Sequence, residues 1–317
     1  MKQFLLILLI PLMFSCSLSE KDEGVLHNKR VLIFGNSITQ NGAYVTYIEY
    51  FLRKNYPEQK LDIISIGLSS ETVNGASEAN HPYPRPCVHT RLDSALALVQ
   101  PDVVMACYGM NDGIYTCHNK EIFETYKKGI YKLNDKVKAS GAQLILLTPT
   151  LFDPGPQKDN LRMEHEEHSY RNPYYKYNEV LDEFTNWLLS INDDGLKVID
   201  LHNFLQPILA DAKSIKEDST FIPDGVHPNK AGHFLIAKKV LLDLYPQVEM
   251  GNPYPTVKQL ASDSLFILVE KRRKLRSKGW LEYVGYIKKD TVKIDDIVPT
   301  KLKVEELDKM MEELEIN

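Results

Sequence analysis

The sequence predicts an α/β protein whose parallel β-sheet is covered by helices on both faces, and three observations point there. Five short runs in the first two hundred residues are apolar without alternation: Val31–Phe34, Ile63–Ile66, Val103–Cys107, Leu144–Leu147 and Lys197–Leu201. Runs of this length, rich in Val, Ile and Leu, suit strands buried on both faces. Amphipathic stretches at Tyr44–Lys54, Thr90–Val99, Lys120–Ala139 and Tyr175–Leu189 lie between or beside them, and Lys230–Tyr245 closes the unit. Strands alternating with helices imply βαβ units. A chain of 317 residues, 43% hydrophobic and 26% charged, has room for one large domain with an appendage and does not read as disordered. Its net charge of −5 offers no broad basic surface, which argues against nucleic acid as a partner.

The N-terminus reads as an export signal. Lys2 precedes the apolar run Phe4–Phe14, too short for an ordinary membrane span and placed as a signal-peptide core would be. Ser15-Cys16 resembles the bacterial lipobox, although Met13 and Phe14 stand where smaller or aliphatic residues are usual. The resemblance implies residues 1–16 as a lipoprotein signal, Cys16 as the lipidated residue, residues 17–28 as a tether and a membrane-anchored location in the bacterial cell envelope. An ordinary cleaved signal and a retained anchor stay open as alternatives. Lipidation would leave Cys87, Cys107 and Cys117, an odd number. Cys107 lies in an apolar run and reads as buried, whereas Cys87 and Cys117 fall in loops where a disulfide is an open alternative.

Pro246–Pro255 punctuates the chain strongly, so a core domain over residues 29–246 and a C-terminal helical extension over 247–317 are expected. Thr256–Arg276 reads as one helix, and its basic run Glu270-Lys271-Arg272-Arg273-Lys274 reads as a solvated face. Val304–Glu313 is a second, acidic helix.

In a parallel sheet, ligands bind beyond the carboxyl ends of the strands. The first strand ends in Phe34-Gly35-Asn36-Ser37-Ile38-Thr39, the second runs into Gly67-Leu68-Ser69-Ser70-Glu71-Thr72, and the third ends in Tyr108-Gly109-Met110-Asn111-Asp112. Pro223-Asp224-Gly225-Val226-His227-Pro228 stands just before the last helix of the domain. Each block alone reads as easily as a turn. In this order the four resemble the conserved blocks of the SGNH (GDSL-like) hydrolases, over roughly Lys29–Tyr245.

That resemblance implies a three-layer α/β/α sandwich with a five-stranded parallel sheet, in the flavodoxin-like order 2-1-3-4-5. It also implies a serine esterase without metal or organic cofactor, working through an acyl-serine intermediate. A serine hydroxyl is a weak nucleophile and needs an adjacent base. His227 is the candidate base for Ser37, and Asp224 would hold its other ring nitrogen. Pro228 favours a helix start beside the histidine. The resemblance assigns the oxyanion donors to the backbone N–H groups of Ser37 and Gly67 and the side-chain amide of Asn111. Asn36 stands where the family usually has Asp, and Ser65 where it often has Asn. These departures put rate and substrate preference in doubt rather than the reaction.

Two loops at the same end of the sheet, His81–Cys87 and Leu151–Pro156, are candidate substrate walls or plain surface loops. Asn36, Tyr83, Arg85 and Asp153 are therefore candidate substrate-binding residues, with Tyr83 and Arg85 suited to a sugar or an acidic glycan. His165-Glu166-Glu167-His168 lacks the spacing of a zinc-protease motif and reads as exposed. The expected substrate is an acylated, foremost acetylated, carbohydrate. A lipid esterase or lysophospholipase, a non-catalytic glycan-binding lipoprotein and an acyltransferase with the same triad are the competing readings.

Overall fold

The computed structural model describes residues 24–316. The apolar leader and Cys16 lie outside the described residues. Five strands, β1 (Arg30–Gly35), β2 (Asp62–Ser65), β3 (Val103–Cys107), β4 (Gln143–Leu147) and β5 (Leu196–Ile199), form one parallel sheet in the order β2-β1-β3-β4-β5. This is the expected fold class and strand order.

Alternate residues of a strand point to opposite faces, so each strand feeds two cores. Val31 and Ile33 of β1 join one core with helices α2 (Ala43–Asn55), α6 (Leu201–Ile215) and α7 (Lys230–Leu244), whereas Leu32 and Phe34 join the other with α3 (Leu92–Val99), α4 (Lys120–Ala139) and α5 (Tyr177–Ser190). A short helix, α1 (Ser37–Asn41), leaves the end of β1 directly.

Helix α6 begins at Leu201, where the sequence predicts the end of a strand. Asp200 instead caps the helix by accepting the N–H of Asn203, and Pro207, which reads as a breaker, sits inside it. The single helix expected over Thr256–Arg276 is two, α8 (Pro253–Leu260) and α9 (Ser264–Val284), because Asp263 caps a new start at Phe266 N–H. After α9 come a hairpin, β6 (Tyr286–Ile287) with β7 (Thr291–Val292), and α10 (Val298–Ile316).

Helix α9 runs along the exposed edge of the sheet at β2. Leu265 and Val269 belong to one core and Trp280, Leu281 and Val284 to the other, so the helix closes both cores and covers the edge strand. Its basic run is not a solvated face, since Arg272 and Arg273 are both 4% exposed. The end of the supposed tether is packed as well. Leu26 and His27 are buried, and the N–H of Leu26 donates to Tyr245 Oη at 2.8 Å. Cys87, Cys107 and Cys117 are free thiols, with Cys107 buried.

His233 on α7 is 2% exposed and lies parallel to Tyr44 at 6.2 Å, and burial pulls its imidazole down to about 3. The unfolded imidazole takes up a proton near pH 6.5, which the native one refuses until far lower. Stability is therefore complete above about pH 6.5 and falls as pH drops below it, by about 2 kcal/mol at about pH 5 from this group. Urea unfolding at the two pH values measures the slope, and His233→Gln is expected to flatten it.

Candidate active site

The turn after β1 and the turn before α7 bring the two chemical halves together. Asn36 is buried and caps α1, its Oδ1 accepting the N–H of Ile38 at 3.0 Å, which fixes Ser37 as the first helical residue. From there Ser37 Oγ lies 2.7 Å from His227 Nε2. The other ring nitrogen of His227, Nδ1, lies 2.7 Å from Asp224 Oδ2. Asp224 Oδ1 accepts the N–H groups of Val226 at 3.0 Å and His227 at 2.6 Å, so one carboxylate shapes the turn and orients the ring. Burial opposes its ionisation, yet the His227 ring and these N–H groups draw the carboxyl down to about 2. It stays a carboxylate through any working pH. The side chains of His227 and Asp224 are 48% and 53% exposed, so the cleft is open and a substrate would cover them.

The turn carrying Asp224 is braced from β4. The Asp153 N–H donates to Gly225 O at 2.9 Å, and Gln157 Nε2 donates to Asp224 O at 2.7 Å. Gly225 has φ +83° with the Asp153 carbonyl 2.8 Å from where a Cβ would sit, so only glycine fits. Asp153 itself is fully buried and paired with Lys213 at 3.0 Å. It is a brace for the Asp224 turn, not a free substrate contact.

Asn111, in the turn after β3, is buried. Its Nδ2 donates to Glu71 O at 3.1 Å and its Oδ1 accepts from Tyr115 Oη at 3.1 Å, which aims the amide at the turn after β2. Asp112 ties the two loops together, accepting Val73 N–H at 2.6 Å, Asn74 N–H at 3.2 Å and Gly109 N–H at 2.7 Å. Below them Glu71 is clamped by Arg91 through bonds of 2.6 and 2.7 Å and by Tyr108 Oη at 2.6 Å.

Gly67 does not join this group. Ile66 and Leu68 donate their N–H groups to Ile33 and Gly35 of β1, so the N–H of Gly67 points the other way, toward the sheet edge and away from Ser37. What requires glycine there is close packing, since a Cβ would lie 2.3 Å from Gln40 N in α1. Three residues on, Ser70 has φ +68°, and its N–H meets no acceptor among the described residues. Its carbonyl faces Arg85 Nη1 at 3.5 Å, and its Oγ lies 3.4 Å from Tyr83 Oη. Nothing in the sequence signals a left-handed conformation at a serine.

Arg85 is 6% exposed and forked onto Glu78 at 2.6 and 2.7 Å, so it holds the loop rather than presenting a charge to the cleft. Tyr83 remains half-buried at the rim, in contact with His81 at 4.7 Å and with Lys288, which sits 5.3 Å above its ring. Lys288 comes from the hairpin of the C-terminal extension, which thereby reaches the same rim. Among the described residues no group of three or more His, Cys, Asp or Glu is arranged to hold a metal ion.

A family model described as the GDSL-like Lipase/Acylhydrolase family matches residues 33–235. No curated protein matches the chain. Among solved structures, a gut microbial diltiazem-metabolizing enzyme is similar with TM-score 0.51 and 20% identity, over 67% of this chain and 46% of that one. The present chain thus spans less than half of that neighbour. A catalytic mutant of an acetylxylan esterase from Geobacillus stearothermophilus gives TM-score 0.47 and 20% identity, over 69% of this chain and 94% of that one. A putative GDSL-like lipase from Parabacteroides merdae gives 0.47 and 18%, over 67% and 93%. The first of these likenesses is one of fold.

Proposed function

The chain belongs to the GDSL-like lipase/acylhydrolase family, and from that premise we propose that it is a serine esterase removing O-acyl groups, acetyl foremost, from carbohydrate. The observation that carries the proposal is the unbroken line from Ser37 Oγ through the His227 ring to Asp224, with both links at 2.7 Å. Such a line lets a hydroxyl lose its proton as it attacks.

In the first half-reaction Ser37 Oγ bonds to the ester carbonyl carbon while its proton passes to His227 Nε2. The carbonyl oxygen becomes an oxyanion. As the tetrahedral adduct collapses, the C–O bond to the sugar breaks, and the leaving oxygen takes the proton back from Nε2. Water then attacks the acyl-serine with the same proton route, releasing the carboxylic acid and restoring Ser37. Asp224 stabilises the imidazolium in both halves.

The oxyanion is held in this mechanism by the N–H of Ser37, the Asn111 amide and the N–H of Ser70, which takes the place first assigned to Gly67. Its free N–H, its turn conformation and its position beside the carbonyl that Asn111 grips support the assignment. Ser70→Gly is expected to keep kcat within a few-fold, because glycine suits a positive φ. Replacing Ser70 by its α-hydroxy analogue, which puts an ester oxygen in place of the N–H and leaves φ free, is expected to cost about 10²–10³ in kcat. Equal kcat in both variants, with melting unchanged, would exclude the role.

A sugar substrate is supported by the rim. Tyr83, His81 and Tyr170 offer ring faces with polar edges, with His81 5.3 Å from Tyr170. Hydrolysis of p-nitrophenyl esters of rising chain length tests the acyl preference, and acetylated oligosaccharides test the alcohol. Activity that fades beyond short acyl chains and extends to the oligosaccharides is expected. Activity that rises with chain length would favour a lipid esterase instead. Export and anchoring through Cys16 belong to the same proposal, placing the enzyme at the cell envelope, and metabolic labelling with a palmitate analogue checks them.

A further inference from the structure

Helix α9 carries three inward-facing arginines, Arg272, Arg273 and Arg276, and two of them have counter-ions. Arg272 pairs with Glu49 at 2.9 Å and Asp308 at 2.5 Å, and Arg276 pairs with Asp62. Arg273 lies between them in sequence and is equally buried, but no carboxylate among the described residues comes within ion-pair distance of it. Its Nε donates to Thr46 Oγ1 at 3.1 Å, its Nη1 lies against Gly42, and its Nη2 is buried with no acceptor. Glu270, on the same helix, pairs with Lys274 at 3.0 Å instead.

One turn further along α9, Ser277 Oγ is also buried without a partner. Both residues line a cavity of about 500 Å³ between α9, the end of β2 and α1, together with Gln40, Asn41, Gly67 and Lys278. Lys278 pairs with Glu282 at 2.7 Å across an exposed rim, so the buried cation without an ion pair at this cavity is Arg273, on which Glu270 and Glu49 act only from beyond ion-pair distance. Burying a cation without a counter-ion is strongly unfavourable, and a hydroxyl with no partner beside it adds to the cost. An oxyanion offers what both lack, since a guanidinium fork and a hydroxyl donor match two oxygens of one group.

We propose that this cavity binds an oxyanion, a carboxylate or sulfate group, with Arg273 as its counter-charge and Ser277 as a second donor. Burial draws the guanidinium down to about 10, and a bound anion would offset that cost by attraction. The site is separate from the Ser37 cleft and does not rest on the esterase reading. It nevertheless adjoins that cleft's supports. Gln40 on its wall accepts the N–H of Ser69 at 2.9 Å, next to Ser70, and Asn41 ends the helix that begins at Ser37. An acidic substituent on the carbohydrate chain and a free small anion present the same chemistry.

The test is thermal melting of the protein in sodium sulfate against sodium chloride at matched ionic strength, repeated with galacturonate. Sulfate or galacturonate is expected to raise Tm beyond chloride by a step that saturates at low millimolar concentration, distinct from the steady rise that sulfate gives any protein by exclusion from its surface. Arg273→Met is expected to erase that increment while melting no lower than wild type in chloride, because it removes an unpaired buried charge. Ser277→Ala retains the fold and is expected to weaken the anion's apparent affinity about tenfold. Stabilisation by galacturonate well below the effective sulfate concentration assigns the site to an acidic sugar, and the reverse order assigns it to a free anion. Equal melting in all three salts, or an increment unchanged in both variants, would overturn the proposal and leave the cavity to water.

Discussion

Ser37→Ala is expected to lower kcat on simple esters by about 10⁵–10⁶ while leaving the melting temperature near that of wild type. The split follows from where the residue sits. Its backbone is the first helical position of α1, fixed by Asn36, and the short side chain is only partly buried, so the helix does not depend on the hydroxyl. Its Oγ is the atom facing His227 Nε2. Removing it deletes the nucleophile without creating a cavity in either core. A loss of only a few-fold would mean that another group attacks the ester.

Asp224 is expected to give the second largest effect, a fall of about 10⁴ in kcat, and two substitutions separate its two jobs. Asp224→Ala loses both the partner of the His227 ring and the acceptor that gathers the N–H groups of Val226 and His227. Asp224→Asn keeps an amide oxygen for those N–H groups, so the turn and its melting behaviour are expected to stay closer to wild type. It still presents an NH₂ or a neutral oxygen to Nδ1 and carries no charge to stabilise the imidazolium. The Asn variant should therefore be nearly as slow as the Ala variant but more stable. Rates close to wild type in Asn would show that Asp224 serves the turn alone.

The sheet was legible in the sequence because its strands are buried on both faces, which leaves unbroken runs such as Val103–Cys107. Ser37, Asp224 and His227 were legible as blocks at strand or helix ends, and the structure brings these three together, with Asn36 buried beside them as the cap of α1 rather than as a substrate contact. The misses share a physical cause. Arg272 looked like part of a solvated face because its partners Glu49 and Asp308 are remote in sequence, and pairing cannot be read from charge alone. Arg85 looked like a ligand for a sugar or an acidic glycan, but Glu78, seven residues earlier, takes its Nε and Nη2. Gly67 is the oxyanion donor that the family resemblance implies, and glycine there does admit a close approach. The approach it admits is that of α1, while the turn that frees an N–H falls at Ser70, a residue type that does not announce a positive φ.

The most direct test of the central claim is to treat the protein with diethyl p-nitrophenyl phosphate and locate the modification by peptide mass spectrometry. A serine activated by His227 should take up one diethyl phosphoryl group on the peptide containing Ser37, in step with loss of esterase activity, and Ser37→Ala should take up none. Labelling at a different serine, or full inactivation with Ser37 unmodified, would contradict the account.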